Sequence, residues 1–338
     1  MEDQISNHQM EKKSTGWRRT GSLNLRLTVS IALVVWIFRS IDWGIFKNII
    51  ISPKLYPLVP FIIFSLFFVF LGSLKLWMLL RTLHPMGLWR FSAYYFLASS
   101  IGSLIPSIFG DFTLAALMKK NQIDYHKSFS IIILDRLITL LIAVFIFTPF
   151  TLISVLPVSP IMVWIITAAA LAITLLAMWI LASFLPTIFQ RFSATRRFWE
   201  ATTVFFHEER SSLWGNVLIG LFRGVISGVT LFFALMVANL TPDLFLTVCI
   251  ANSLAVVTHI PISISGLGLY EGSGLILFEH IGLQREMVLA GLLYQRAYIL
   301  IWSLATIIIL GFVIFLRRHG VVNAKAQKNR PSESELSL

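Results

Sequence analysis

The chain has 338 residues, of which 57% are hydrophobic and only 13% charged, and a mean hydropathy of +0.82, which excludes a soluble globular domain. A net charge of +11 raises nucleic acid as a partner, but the basic residues stand in loops and tails between apolar runs, so no nucleic-acid partner is expected. The single cysteine, Cys249, excludes an intramolecular disulfide.

In chain order, Met1 to Asn24 is polar and basic and reads as a cytoplasmic tail, with Trp17, Arg18 and Arg19 as an interfacial anchor in place of a cleaved signal. Eight apolar segments follow: Leu25 to Ile41, Leu55 to Leu80, Phe91 to Leu117, Phe129 to Leu156, Ile161 to Leu185, Leu213 to Leu240, Leu244 to Phe278 and Val288 to Leu316. Such lengths suit a hydrocarbon layer roughly 30 Å thick. If all eight crossed, the basic loops 119–127 and 191–210 would fall outside, against the tendency of Lys and Arg to collect on the cytoplasmic face. If Phe91 to Leu117 and Leu244 to Phe278 instead dip in and return, only Arg39, Lys47, Lys54 and Arg285 remain outside. The expectation is an all-α polytopic membrane protein of six full spans plus two re-entrant helical hairpins, with both termini cytoplasmic. Residues 319–338 are polar and read as a disordered tail.

The hairpins would break at Pro106 with Gly110, and at Pro261 with Gly266 and Gly268. Each half, residues 25–156 and 157–318, then reads as two spans, a broken hairpin carrying a carboxylate, and a span carrying an arginine: Asp111 with Arg136, and Glu271 with Arg296. One half begins inside and the other outside, so the repeat would be inverted, as in many transporters whose substrate sits where half-helices meet. Asp111 is expected to cap its half-helix, and Glu271 occupies the matching place. Helix starts with Arg136 and Arg296 nearby could hold a phosphate; equally, the two carboxylate–arginine couples could be structural ion pairs. Both readings stand at this point.

Asp135 and His259 are candidates for proton or ion coupling, and Lys75 and Arg223 for snorkelling side chains or polar contacts inside the bundle. Gly220, Gly224 and Gly228 form a double G-x-x-x-G for close packing, within the bundle or in a homodimer. The sequence carries no P-loop, no H-E-x-x-H, no Cys/His cluster and no G-x-S-x-G elbow, so neither cofactor, metal nor enzymatic nucleophile is expected. An intramembrane acid–base pair of Glu271 and His259 is the enzymatic alternative.

The stretches P-I-S-I-S-G-L-G-L-Y-E-G at 261–272, A-G-L-L-Y-Q-R at 290–296, I-P-S-I-F-G-D at 105–111 and S-F-S-I-I-I-L-D-R at 128–136 resemble the lysylphosphatidylglycerol synthase transmembrane-region family over about residues 20–318. The resemblance implies a flippase-like protein of the inner membrane that moves or presents lipids or lipid-linked carriers. It also allows a non-transporting subunit that anchors a lipid-modifying enzyme or a glycosyltransferase. By the same match Pro106, Gly110, Asp111, Asp135, Arg136, Pro261, Gly266, Gly268, Glu271 and Arg296 fall on family motif positions. The family often has a second glycine before the aspartate, an arginine three residues after it, and a basic residue before the glutamate; this chain has Phe109, Leu114 and Tyr270 there. Fewer positive charges imply a weaker hold on a strongly anionic substrate. The family's aminoacyl-transferase domain is not in this sequence, so synthesis of lysylphosphatidylglycerol is not expected of it.

Overall fold

The structure, a computed structural model, describes residues 27–105, 107–189, 210–258, 263 and 266–328. Among these every regular element is helical. α1 (Leu27–Arg39) and α2 (Trp43–Ile51) meet at 94°. The corner is made by Asp42, whose Oδ1 accepts the Gly44 and Ile45 N–H groups and so starts a new helix. α3 (Leu58–Leu83) is followed by α4 (Leu88–Leu104), α5 (Ser107–Lys119) and α6 (Tyr125–Ile142). A π-turn over Ala143–Phe147 joins α6 to α7 (Thr148–Val155). Pro149 offers no N–H to the helix, and the Thr148 N–H reaches back five residues to the Ala143 carbonyl. Then come α8 (Pro160–Phe189), α9 (Arg210–Val237), α10 (Leu244–Thr258), α11 (Leu269–His280) and α12 (Arg285–Lys328).

α3 and α9 lie antiparallel at the centre. At one end the Lys54 N–H, just before α3, bonds the Val237 carbonyl at the end of α9. At the other, Gly215 near the start of α9 lies against Met78 of α3, and Leu213 packs on the core that holds Leu76, Leu79 and Leu80. α5 folds back along α4, because a methyl on Gly110 would lie 2.6 Å from the Ala98 carbonyl and 3.0 Å from Gly102 Cα. Only hydrogen fits there. Asn121, just past α5, donates to the Tyr94 hydroxyl near the start of α4, so this hairpin opens at the end where α9 begins. α11 folds back along α10 in the same way, with Gly274 beside Leu254. That hairpin opens at the opposite end, where Ile41, Phe46, Ile49, Leu240, Phe278 and Val288 share one core.

The turns after the two hairpins repeat one another. The Gln122 and Ile123 N–H groups bond the Lys119 and Met118 carbonyls, and those of Gly282 and Leu283 bond the Glu279 and Phe278 carbonyls. Both are Schellman closures whose penultimate residue is left-handed: φ is 65° at Gln122 and 83° at Gly282.

The glycine stripe of α9 is spent inside this bundle. Gly220 faces Ile142, Gly224 faces Phe147 and Asn252, and a methyl on Gly228 would lie 2.2 Å from Val248 Cα.

Four helices among the described residues are long and apolar enough to cross a membrane, Leu58–Thr82, Tyr125–Val155, Arg210–Val237 and Arg285–Phe312, or five if the bent α1–α2 pair is one span. The protein is multi-pass, with four or five of the expected six full spans among the described residues. The first expected span falls on the α1–α2 pair, which bends by 94° after Arg39. The fourth falls on α8, a helix of 30 residues. The tail expected to be disordered from residue 319 is helical as far as Lys328; the tail 1–24 and most of the loop 191–210 lie outside the described residues.

Candidate paired-charge site

Each hairpin is tied to the helix that follows it by one ion pair. Arg136 Nη2 lies 2.6 Å from Asp111 Oδ2 and donates to Oδ1 at 2.8 Å, 25 residues apart in sequence. Arg296 Nε donates to Glu271 Oε1 at 2.5 Å, again 25 residues apart. Arg136 and Arg296 are each the twelfth residue of their helices, α6 and α12. A shift of 160 residues therefore maps one latch onto the other, and the two Schellman turns with them.

The latches differ in environment. Glu271 is 6% exposed and Arg296 23%, against 21% for Asp111 and 40% for Arg136. In addition, Glu271 Oε2 accepts the Gly268 N–H at 2.8 Å and so caps the start of α11. That helix start, read as a place for a ligand anion, is occupied by the protein's own carboxylate. Gly268 holds φ at +77°, and a Cβ on it would press 2.7 Å from Leu33 Cβ of α1; Gly266 is likewise left-handed at +72°. Tyr270, which stands where the family often has a basic residue, donates to Gln295 Oε1 at 3.0 Å beside the Glu271–Arg296 pair.

Asp111 does not cap its helix. α5 begins at Ser107, so Asp111 sits a full turn inside it, aimed sideways at α6. No hydrogen bond or ion pair among the described residues links the latch of one half to that of the other. Pro106, Pro261 and His259 lie outside the described residues.

Asp135 belongs to a third charged group. Its carboxylate lies 3.1 Å from Lys75 Nζ and accepts from Asn216 Nδ2 at 2.8 Å; that amide also donates to the Lys75 carbonyl, and Lys75 Nζ bonds the Thr139 hydroxyl. Lys75 is 1% exposed, so it does not snorkel. It is a bundle contact joining α3, α6 and α9, and burial so complete requires these partners. Spacing along the chain could not pair Lys75 with Asp135, because they meet across 60 residues. Their shared signal was a charge inside an apolar run. Among the described residues no group of three or more His, Cys, Asp or Glu side chains could hold a metal.

The family model described as the lysylphosphatidylglycerol synthase TM region matches residues 24–311. The chain belongs to this family. No curated protein and no solved structure matches it. As a member of the lysylphosphatidylglycerol synthase TM region family it is a membrane protein, and the match spans both hairpins, both latches and the Lys75–Asp135 pair.

Proposed function

We propose that this chain translocates a phosphate-bearing lipid across the cytoplasmic membrane, or presents one there to a lipid-modifying enzyme or glycosyltransferase, and does so without being an enzyme itself. The two halves act as an inverted repeat, each with a re-entrant hairpin, and both termini lie in the cytoplasm. The observation that carries this reading is the pair of latched hairpins, built at the same sequence spacing and opening at opposite ends of the bundle. A helix broken at membrane depth needs protein or water to satisfy its backbone, and two such breaks entered from opposite faces supply a polar route past the apolar layer. The ion pairs neutralise the charges that hold this route open.

The test is a liposome assay. The purified full chain is reconstituted with a fluorescent phosphatidylglycerol in both leaflets, and a membrane-impermeant reductant bleaches the outer label. Bleaching that continues beyond the outer-leaflet fraction is expected with wild type. Arg296→Met should slow it about tenfold, equivalent to about 1.4 kcal/mol at the barrier. If wild-type vesicles bleach no further than empty ones, translocation is wrong and the anchoring-subunit reading replaces it.

A further inference from the structure

Arg223 is a charge that neither latch nor network uses. It sits on α9, half-buried, facing α3. Its guanidinium lies 3.9 Å from the centre of the Phe68 ring, and its Nε makes one long hydrogen bond, 3.4 Å, to the Phe68 carbonyl. Its two terminal nitrogens have no acceptor among the described residues, and no carboxylate there pairs with it. A guanidinium within a transmembrane segment is rare without an anionic or aqueous partner.

The surroundings supply a place for that partner. Phe68, Thr139, Ala143, Arg223, Ser227 and Asn252 line a cavity of about 50 Å³, room for three or four waters. The Ser227 hydroxyl has no hydrogen-bond partner among the described residues and stands one turn from Arg223. The π-turn starts at Ala143 in the cavity wall, where the helix is locally widened. Behind Thr139 lies Lys75, whose charge is already matched by Asp135. Two cations therefore face one carboxylate in this layer, leaving a single positive charge unmatched.

The geometry points to an oxyanion site in this cavity: Arg223, with the Ser227 hydroxyl, binds the phosphate group of a lipid head group or a free phosphate. A guanidinium presents two parallel N–H groups to two phosphate oxygens, and its stacking on Phe68 holds the plane fixed. The cavity is about 50 Å³, so the site takes the phosphate and excludes a bulky sugar. This rests on the reading of the chain as one that handles phosphate-bearing lipids, and it places the contact at Arg223, leaving the two paired arginines to hold the hairpins.

The experiment is calorimetric titration of the purified full chain in a neutral detergent with dihexanoylphosphatidylglycerol, with inorganic phosphate and with uncharged dihexanoylglycerol. The expected result is binding of a phosphate-bearing probe but not of dihexanoylglycerol, weakened about tenfold or more in Arg223→Ala, the size of a lost charge-assisted contact. Binding of the lipid in preference to phosphate assigns the site to a head group, and the reverse assigns it to the free ion. Ser227→Leu keeps the guanidinium but fills the cavity, and should weaken binding as strongly; it decides alone if Arg223→Ala does not fold. Wild-type affinity in the folded variants, or a wild type that binds neither phosphate-bearing probe, overturns the site. Binding by a protein that moves no lipid in vesicles would keep the site and overturn translocation.

Discussion

At the scale of single residues, the charged side chains divide by how completely they are enclosed. Lys75 is enclosed furthest, at 1% exposure, and removing Asp135 strands its charge. Asp135→Asn should destabilise the protein by about 3–5 kcal/mol, whereas Lys75→Met combined with Asp135→Leu should recover most of that loss. Denaturant unfolding in detergent, followed by tryptophan fluorescence, separates the two outcomes; equal stability of the single and double variants would mean that the pair is not coupled. Gly268 is constrained twice, by its positive φ and by Leu33 against its missing Cβ. Gly268→Ala should therefore cost more than the roughly 1 kcal/mol of a left-handed alanine alone. A thermal shift no larger than that of Gly282→Ala, where φ is +83° and nothing lies within 4 Å, would show that Leu33 yields.

At the scale of elements, the two Schellman turns form a natural comparison. Gly282 suits its left-handed position, but Gln122 occupies the equivalent one with a side chain. Gln122→Gly should stabilise by about 0.5–1 kcal/mol, since relief of the backbone strain outweighs the added freedom of the unfolded chain. A lower melting temperature for this variant would contradict that balance. The stripe on α9 makes a different prediction. Because Gly228 touches the backbone of α10, Gly228→Leu should disrupt the fold of the single chain, visible as lost thermal unfolding at any protein concentration. A well-folded variant altered only in oligomeric state would instead place the stripe in a dimer.

Much of this was legible in the sequence, for reasons that differ by element. The fold-back of each hairpin could be read because a proline at 106 and glycines at 266 and 268 interrupt long apolar runs. The latches could be read as carboxylate–arginine couples, since local spacing repeats. The end of the first apolar segment at Ile41 was legible, but the helix that Asp42 starts across it was not, because 43–51 carries no helix signal beyond that one cap. Asp111 was placed at a helix start because it follows Gly110; the helix had already begun at Ser107, since Gly110 serves close packing on α4 and not a break. The Lys75–Asp135–Asn216 network was not legible, because three separate helices bring it together.

At the scale of the whole molecule, the central claim is that two latched hairpins enter the membrane from opposite faces. Antiparallel packing of α3 on α9 puts the turn 119–125 at one end and the turn 280–285 at the other. Asp124 and Gln284 occupy the same place in those turns, both exposed, and Asp124 makes no side-chain cap, so either can become cysteine without cost to the fold. With the buried Cys249 replaced by alanine, each single cysteine is challenged in intact cells with a membrane-impermeant thiol reagent. Gln284→Cys should be labelled from outside, and Asp124→Cys only after the cells are opened. Labelling of both from the same side would contradict the inverted arrangement and the route proposed to run between the hairpins.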